Sequence, residues 1–274
     1  MPKPKSKTKS PLTARTADKF ALYREAVQAP DADTAFLARH FRKEAGRAAR
    51  SFREDFCGTA ALSCHWVRRH RENTALGVDL DAPTLAWGRE HNVATLLDAE
   101  QQTRLTLRRA DVLAVRRPKV DIVCALNFSY CVFKTRPQMQ GYFDNCRRSV
   151  VDDGMLFIDL WGGSAAQTEQ VDRRRCKGFT YLWDQATFDP LSYETTCKIH
   201  FEFRDGTRMR NAFVYDWRLW TAPELREMAT AAGFKEIYFL WEGTTASGAG
   251  NGVYRKVQRG DADRSWISYL VARP

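Results

Sequence analysis

The sequence predicts an α/β domain: a mostly parallel sheet with helices on both faces, carrying a small antiparallel β insertion. Three observations lead there. Between residues 51 and 160, short apolar runs alternate with helix-period segments, the pattern of strands joined by crossover helices. One run, 120–126, is apolar almost throughout, as a strand buried on both faces must be. After residue 176 the pattern changes. Three strand-like runs follow one another with no helix between them, which calls for antiparallel pairing.

The elements follow in order. Residues 18–28 and 32–45 are amphipathic helical stretches separated by Pro30 and Asp31. A strand at 51–56 leads into the tight turn Cys57-Gly58-Thr59 and a helix over 60–71. A second strand, 75–80, ends in Gly77-Val78-Asp79-Leu80-Asp81. Asp81 is a good N-cap, and Pro83 suits the first turn of a helix reaching residue 98. Strand three, 104–110, stops at Asp111, strand four is 120–126, and a helix covers 137–150. Asp153-Gly154 reads as a turn before strand five at 155–160. The insertion strands are 179–185, 195–203 and 210–219, with turns at Asp189-Pro190 and Asp205-Gly206. Thr221 and Glu224 make a capping box with Pro223 in the first turn, and the helix they start stops near Gly233. Strands at 235–242 and 266–272 bracket a glycine-rich loop.

The chain has 274 residues, 44% of them hydrophobic, enough for one large domain. No apolar run is long enough to cross a membrane, and the lysine-rich start lacks the apolar stretch of a secretory signal. The first 17 residues hold no acid, so an organelle transit peptide stays open beside a cytoplasmic location. The seven cysteines are odd in number and make no Cys-x-x-Cys pair, which reads as free thiols in a reducing cytoplasm. Their spacing to histidine gives no metal site. Net charge is +10, and Lys3, Lys5, Lys7, Lys9 and Arg15 supply half of it before the first acid, Asp18. Residues 1–17 therefore read as a basic disordered tail, and 18–274 as the folded domain with its insertion at 176–220. Such a tail holds nucleic acid non-specifically or is a solvated leader.

Three points on the predicted carboxyl edge of the sheet carry chemistry. The turn after Arg53-Glu54-Asp55-Phe56 has a glycine, Gly58, that lets the backbone approach a ligand where a helix begins. The dinucleotide fingerprint G-x-G-x-x-G is absent. Asp79, about 20 residues later, can accept from the two hydroxyls of a ribose. Asp111 can accept from an adenine amino group. Each acid alone is explained as a turn former. Three after successive strands point to a nucleoside.

With these residues the chain resembles the class I S-adenosylmethionine-dependent methyltransferases, in a branch with an antiparallel insertion before the last helix. Glu54 to Ala60 is similar to the family's first motif, Asp79 to the second, Asp111 to the third, Asp121 to Asn127 to the fourth, and Asp153-Gly154-Met155 to the fifth. The resemblance covers 18–274. It implies a Rossmann-like, mostly parallel seven-stranded sheet with a reversed final strand, and S-adenosyl-L-methionine as cofactor. On its terms Glu54 holds the methionine end, with Asp55 as the other choice. Phe56, Cys57, Gly58 and Thr59 form the cofactor turn, Asp79 and Leu80 meet the ribose, and Asp111 and Val112 meet the base. Asn127 and Phe128 follow strand four. Tyr23 and Arg24 lie on a helix that many members fold over the cofactor, where Arg24 pairs with the carboxylate or stays on the surface. Phe56 and Ala60 depart from the family's first motif, which usually has glycine at both places.

The acceptor side is less specific. Asn127-Phe128-Ser129-Tyr130 is similar to the Asn-Pro-Pro-Tyr motif of amino-methyltransferases without its prolines. The likeness implies that Asn127 orients a nitrogen and Tyr130 lines the pocket; a backbone contact to the cofactor with ordinary packing is the alternative. Trp161, Asn251 and Tyr254 are the substrate candidates. The last two lie in loop 242–254, expected either as a lid over the site or as a plain surface loop. His200 and the many aromatics of 178–220 face a substrate, pack a sheet, or pair two subunits as a homodimer. The function expected is methylation of nitrogen or oxygen on a small molecule. The alternatives are an RNA or protein methyltransferase recruited by the tail, and a non-catalytic nucleoside-binding protein.

Overall fold

Asp18 caps the first helix by accepting from the N–H groups of Phe20 and Ala21, which sets the start of α1 (Lys19–Val27). Pro30 then opens α2 (Pro30–Ala45), and Gly46, with φ +72°, closes it. The computed structural model describes residues 12–245 and 250–274. From Ser51 the chain alternates as expected. The order is β1 (Ser51–Asp55), α3 (Ala61–Arg68), β2 (Thr74–Asp79), α4 (Ala82–Gly88), a π-helical turn, α5 (Ala94–Leu96), α6 (Ala99–Thr103) and β3 (Leu105–Arg109). It continues through β4 (Val120–Ala125), α7 (Arg136–Ser149) and β5 (Val150–Gly162). The Asp153-Gly154 turn is absorbed into β5, where the pairing with β4 shifts register between Val120 and Ile122.

Four strands follow without a helix: β6 (Gln170–Arg175), β7 (Phe179–Phe188), β8 (Glu194–Phe203) and β9 (Arg208–Arg218). They form their own antiparallel sheet. β6 lies before the expected start at residue 176. It is an edge strand with an arginine-rich, exposed face, so it carries no apolar alternation to announce it. The chain then returns through α8 (Ala222–Ala231), β10 (Glu236–Thr244), β11 (Gly250–Val257) and β12 (Trp266–Arg273). The Thr221–Glu224 capping box forms as the sequence requires.

The main sheet has the order β11-β10-β12-β5-β4-β1-β2-β3. Strands β1 to β5 run parallel, and β12 lies antiparallel between β5 and β10, which is the reversed strand expected. The sheet has eight strands where seven were expected. The extra one, β11, comes from the segment read as a loop. It pairs with β10 at the sheet edge, and most of its side chains are exposed, with Tyr254 packed on Phe36 and Tyr269. One core packs α7 and α8 against a face of the sheet, around Tyr142, Phe143, Ile158 and Leu225. The other packs α2 and α3 on the opposite face, around Phe41, Trp66 and Phe157.

A third cluster joins α1 to the small sheet through Leu22, Phe179, Ile199 and Phe201. Residues 12–17, assigned to the tail, make a turn on this sheet: Ala14 N–H donates to Thr207 Oγ1 at 3.0 Å, and Ala14 and Ala17 pack on the cluster. The lysines of the expected tail lie in 1–11, outside the described residues. All seven cysteines are free thiols. No helix among the described residues is long and apolar enough to cross a membrane.

Candidate active site

The turn after β1 is held by backbone. Cys57 N–H donates to the Val78 carbonyl at 3.0 Å and Ala60 N–H to the Cys57 carbonyl at 2.8 Å. Phe56 and Ala60, the two residues standing where glycine was expected, have φ of +56° and +57°. The glycine conformation is kept without glycine, at a cost of about 1–2 kcal/mol each. The Phe56 ring stands edge-on to Phe133 at 5.8 Å and beside Tyr142 at 5.9 Å, so it packs toward the core while still bordering the cavity. Gly88 of α4 lets that helix lie on the turn; a Cβ there would stand 2.5 Å from the Thr59 carbonyl oxygen.

The acids divide their work. Asp79 at the end of β2 accepts from Gly58 N–H at 2.7 Å and from Asp81 N–H at 2.9 Å, one bond on each oxygen. Asp81 caps α4 through Thr84 N–H. Glu54 takes both of its bonds on Oε2, from Ser63 N–H at 2.9 Å and Ser63 Oγ at 2.5 Å. Oε1 is the oxygen left for a ligand in the cavity that Glu54 lines. Asp55 is committed elsewhere: Arg53 grips it in a bidentate pair at 2.6 and 2.9 Å, and Tyr142 OH donates at 3.1 Å.

Two cavities meet at the carboxyl edge of the sheet. The first, about 270 Å³, is bordered by the β1 turn from Glu54 to Thr59, by Asp79, and by Phe20, Tyr23, Gln28 and Asp33 from the first two helices. The second, about 470 Å³, lies between the main sheet and the small one, walled by Trp161, Tyr181, Trp183, Tyr254 and Tyr269. They share Tyr23, Asp33, Leu126, Asn127, Tyr215 and Trp217.

Of the candidates, Tyr23, Glu54, Phe56, Cys57, Gly58, Thr59, Asp79 and Asn127 line the first cavity, and Tyr23, Asn127, Phe128, Trp161 and Tyr254 the second. Six do not line either cavity, and each has a physical reason. Tyr130 was expected on the pocket wall, but it is 2% exposed in the α7 core. Arg24 turns to Asn92, which in turn donates to the Thr59 carbonyl. Asp111 is exposed and caps its own turn by accepting from Leu113 N–H at 2.9 Å. Val112 is buried in the core, and Leu80 is exposed beside Asp79. Asn251 stands on the exposed edge strand β11 and bonds Val253 N–H. His200 is also satisfied, between Asp184 and the N–H of Asn211.

Sequence reasoning missed three polar residues. Gln28 ends α1, and its Oε1 is buried on the first cavity without a hydrogen-bond partner. Such an orphaned acceptor fits a ligand that brings an N–H or O–H. Asp33, in the first turn of α2, borders both cavities, and Asp159 on β5 borders the second. The place of Asp159 near the end of strand five could have marked it; nothing local marked Gln28 or Asp33.

Burial pushes the Glu54 carboxyl up to about 8, with the Ser63 bonds pulling it back. Burial also lifts Asp159 to about 7 and Asp33 to about 6, against N–H groups that favour the anions. Each binds its proton more tightly folded than unfolded, so stability falls as pH rises through its folded value. His40, pushed down to about 4 by burial, works the other way below about 6.5. The melting temperature of the ligand-free protein is therefore expected to drop by roughly 5 °C from pH 6.5 to pH 8. Differential scanning calorimetry checks this, and a rising profile would contradict the burial of Glu54 and Asp159.

No protein-family model and no curated protein sequence matches this chain. Solved structures do. It is similar to a S-adenosylmethionine-dependent methyltransferase from Clostridium acetobutylicum, with a TM-score of 0.67 at 16% identity over 93% of this chain and 98% of that one. CalS10, an amino pentose methyltransferase from Micromonospora echinaspora, gives 0.66 at 17% identity over 93% and 96%. The sugar N-methyltransferase KedS8 from Streptoalloteichus gives 0.63 at 19% over 97% and 96%. The chain thus has the fold of S-adenosylmethionine-dependent methyltransferases, over more than nine-tenths of its length.

Proposed function

We propose that this chain is an S-adenosylmethionine-dependent methyltransferase acting on a small molecule, at an amine nitrogen. The observation that carries the reading is the pair of adjoining cavities: a nucleoside-type cradle opens across Asn127 onto a larger aromatic chamber bordered by carboxylates. In the first cavity Asp79 would hold the ribose, and Glu54 Oε1 and Gln28 Oε1 the amino-acid end. When bound, the cofactor supplies a methyl group already activated by its sulfonium.

The chain's own work is positioning. The aromatic walls of the second cavity exclude water and favour cationic ligands. Asp33 and Asp159 add negative charge, while the arginines on that wall are engaged, Arg173 by Glu202 and Arg174 by the Ala26 carbonyl. An ammonium is held by such a cavity, and Asp33 can take one of its protons and leave a neutral nitrogen able to attack. Asn127, on the shared wall, orients the amine. Nitrogen is also the atom named for the sugar N-methyltransferase KedS8, and a glycopeptide N-methyltransferase shares the fold with a TM-score of 0.56. A chamber of about 470 Å³ suits a small acceptor better than RNA or a protein, and its acids have no use in a protein that only binds a nucleoside.

Calorimetric titration with S-adenosylmethionine, S-adenosylhomocysteine and NAD is the first test. One-to-one binding of the two sulfur nucleosides and none of NAD is expected. Small amines paired with their alcohol isosteres, offered with methyl-labelled cofactor, test the acceptor: label is expected in the amines only. Absence of binding by either sulfur nucleoside would sink the enzyme reading. Label in the alcohols alone would move the acceptor atom to oxygen.

A further inference from the structure

The turn leaving β4 forms the wall between the two cavities, and its backbone is costly to hold. Asn127 and Phe128 both have φ of +58°, and neither is glycine. Two consecutive left-handed residues with side chains persist only when something outside the turn fixes them. Asp159, on the adjacent strand β5, does so. Its Oδ2 accepts from Asn127 N–H at 2.6 Å and its Oδ1 from Phe128 N–H at 2.9 Å. Successive N–H groups in such a turn point together and suit one anion. The parallel register of Ala125 with Ile158 brings Asp159 level with the turn, and the residue is only 8% exposed. Inside the turn, Ser129 Oγ donates to the Leu126 carbonyl and Cys131 N–H to the Phe128 carbonyl, but neither bond reaches the two left-handed N–H groups.

We propose that Asp159 is a positioning residue that locks Asn127 and Phe128 into the conformation separating the cofactor cavity from the acceptor cavity. Asn127 borders both cavities and Phe128 leans on Trp161 at 5.9 Å, so release of the turn deforms both spaces at once. The inference rests on the reading of the first cavity as the nucleoside site.

The test uses the full chain with Asp159→Asn, Phe128→Gly and the double variant. Asparagine keeps the shape but offers one acceptor and one donor to two N–H groups. Glycine adopts positive φ without a penalty, so it removes the need for the lock. Amide hydrogen exchange is followed by mass spectrometry over 126–132 and, as reference, over β7 and β8. Affinity for S-adenosylhomocysteine is followed by calorimetry. Asp159→Asn is expected to speed exchange at least tenfold over 126–132 and leave β7 and β8 unchanged. Its affinity is expected to fall about tenfold, and adding Phe128→Gly should recover most of that loss. Unchanged exchange over 126–132 in Asp159→Asn would overturn the proposal. So would a double variant that binds no better than Asp159→Asn, because the carboxylate would then act by its charge alone. If the unaltered protein binds no S-adenosylhomocysteine, the nucleoside reading fails, and the exchange measurement still decides whether Asp159 locks the turn.

Discussion

Asp79→Ala is expected to weaken S-adenosylmethionine binding about 100-fold or more. A carboxylate accepting two ribose hydroxyls makes charge-assisted bonds worth roughly 1.5–3 kcal/mol each, and every 1.4 kcal/mol is tenfold in affinity. The structure adds a second loss. Asp79 already accepts from Gly58 N–H, so the substitution also loosens the turn that faces the ligand. Asp79→Asn separates the two effects, since its amide oxygen can still accept from Gly58 while one ribose partner becomes a donor. It should fall between the alanine variant and the unaltered protein. Calorimetry reads both variants, with denaturant unfolding to show that they fold. Affinity of Asp79→Ala within threefold of the unaltered protein would remove Asp79 from the nucleoside site.

The reason Asp79 was legible while Asp33 was not is physical. A parallel α/β sheet places the end of each strand at one edge, so an acid after a strand announces its location before any coordinates exist. Asp79 and Asp111 were found that way, and Asp79 lines the first cavity while Asp111 does not; Glu54 and Asn127, which the family resemblance pointed to, line it too. Asp33 and Gln28 reach the cavity from α2 and the end of α1, whose docking is set by distant contacts: α1 lies on β7 and β8, more than 150 residues away in sequence. No local pattern reports such a contact. Tyr130 failed for a related reason. The motif suggested a pocket tyrosine, but the two left-handed residues before it turn the chain and deliver the ring into the α7 core. The strands that escaped notice, β6 and β11, are both sheet edges with exposed, polar faces. Alternation of apolar and polar residues is a sign of burial on one face, so a strand that buries neither face gives no such signal. Phe56 and Ala60 show the converse. Both residues depart from the glycines of the family motif, yet both take positive φ, and the bonds to Val78, Cys57 and Asp79 hold the turn in that conformation.

The ion pair beneath that turn gives the largest expected effect on stability. Arg53 is fully buried on β1, a strand position that an apolar residue normally fills. Its guanidinium is satisfied by Asp55 on one side and, on the other, by the Val112 and Val115 carbonyls and Ser149 Oγ. Arg53→Met leaves Asp55 buried without its cation and with only Tyr142 OH as donor, so it must stay an unpaired ion or bind a proton that burial already favours, and the variant is expected to cost about 3–5 kcal/mol. Removing both charges is different. The double variant Arg53→Met, Asp55→Leu fills the same space with apolar groups and strands no ion. The two carbonyls keep a donor, because Asn145 Nδ2 bonds Val112 at 2.5 Å and Val115 at 2.9 Å. The double variant is therefore expected to regain most of the loss, within about 1–2 kcal/mol of the unaltered protein. Urea unfolding at equal slopes reads all three proteins. A double variant as unstable as Arg53→Met would place the weight on the arginine's bonds to the carbonyls after β3 instead of on its pair with Asp55. In that case Arg53 is the clamp joining the first turn to the segment that follows β3, and the charge of Asp55 merely serves it.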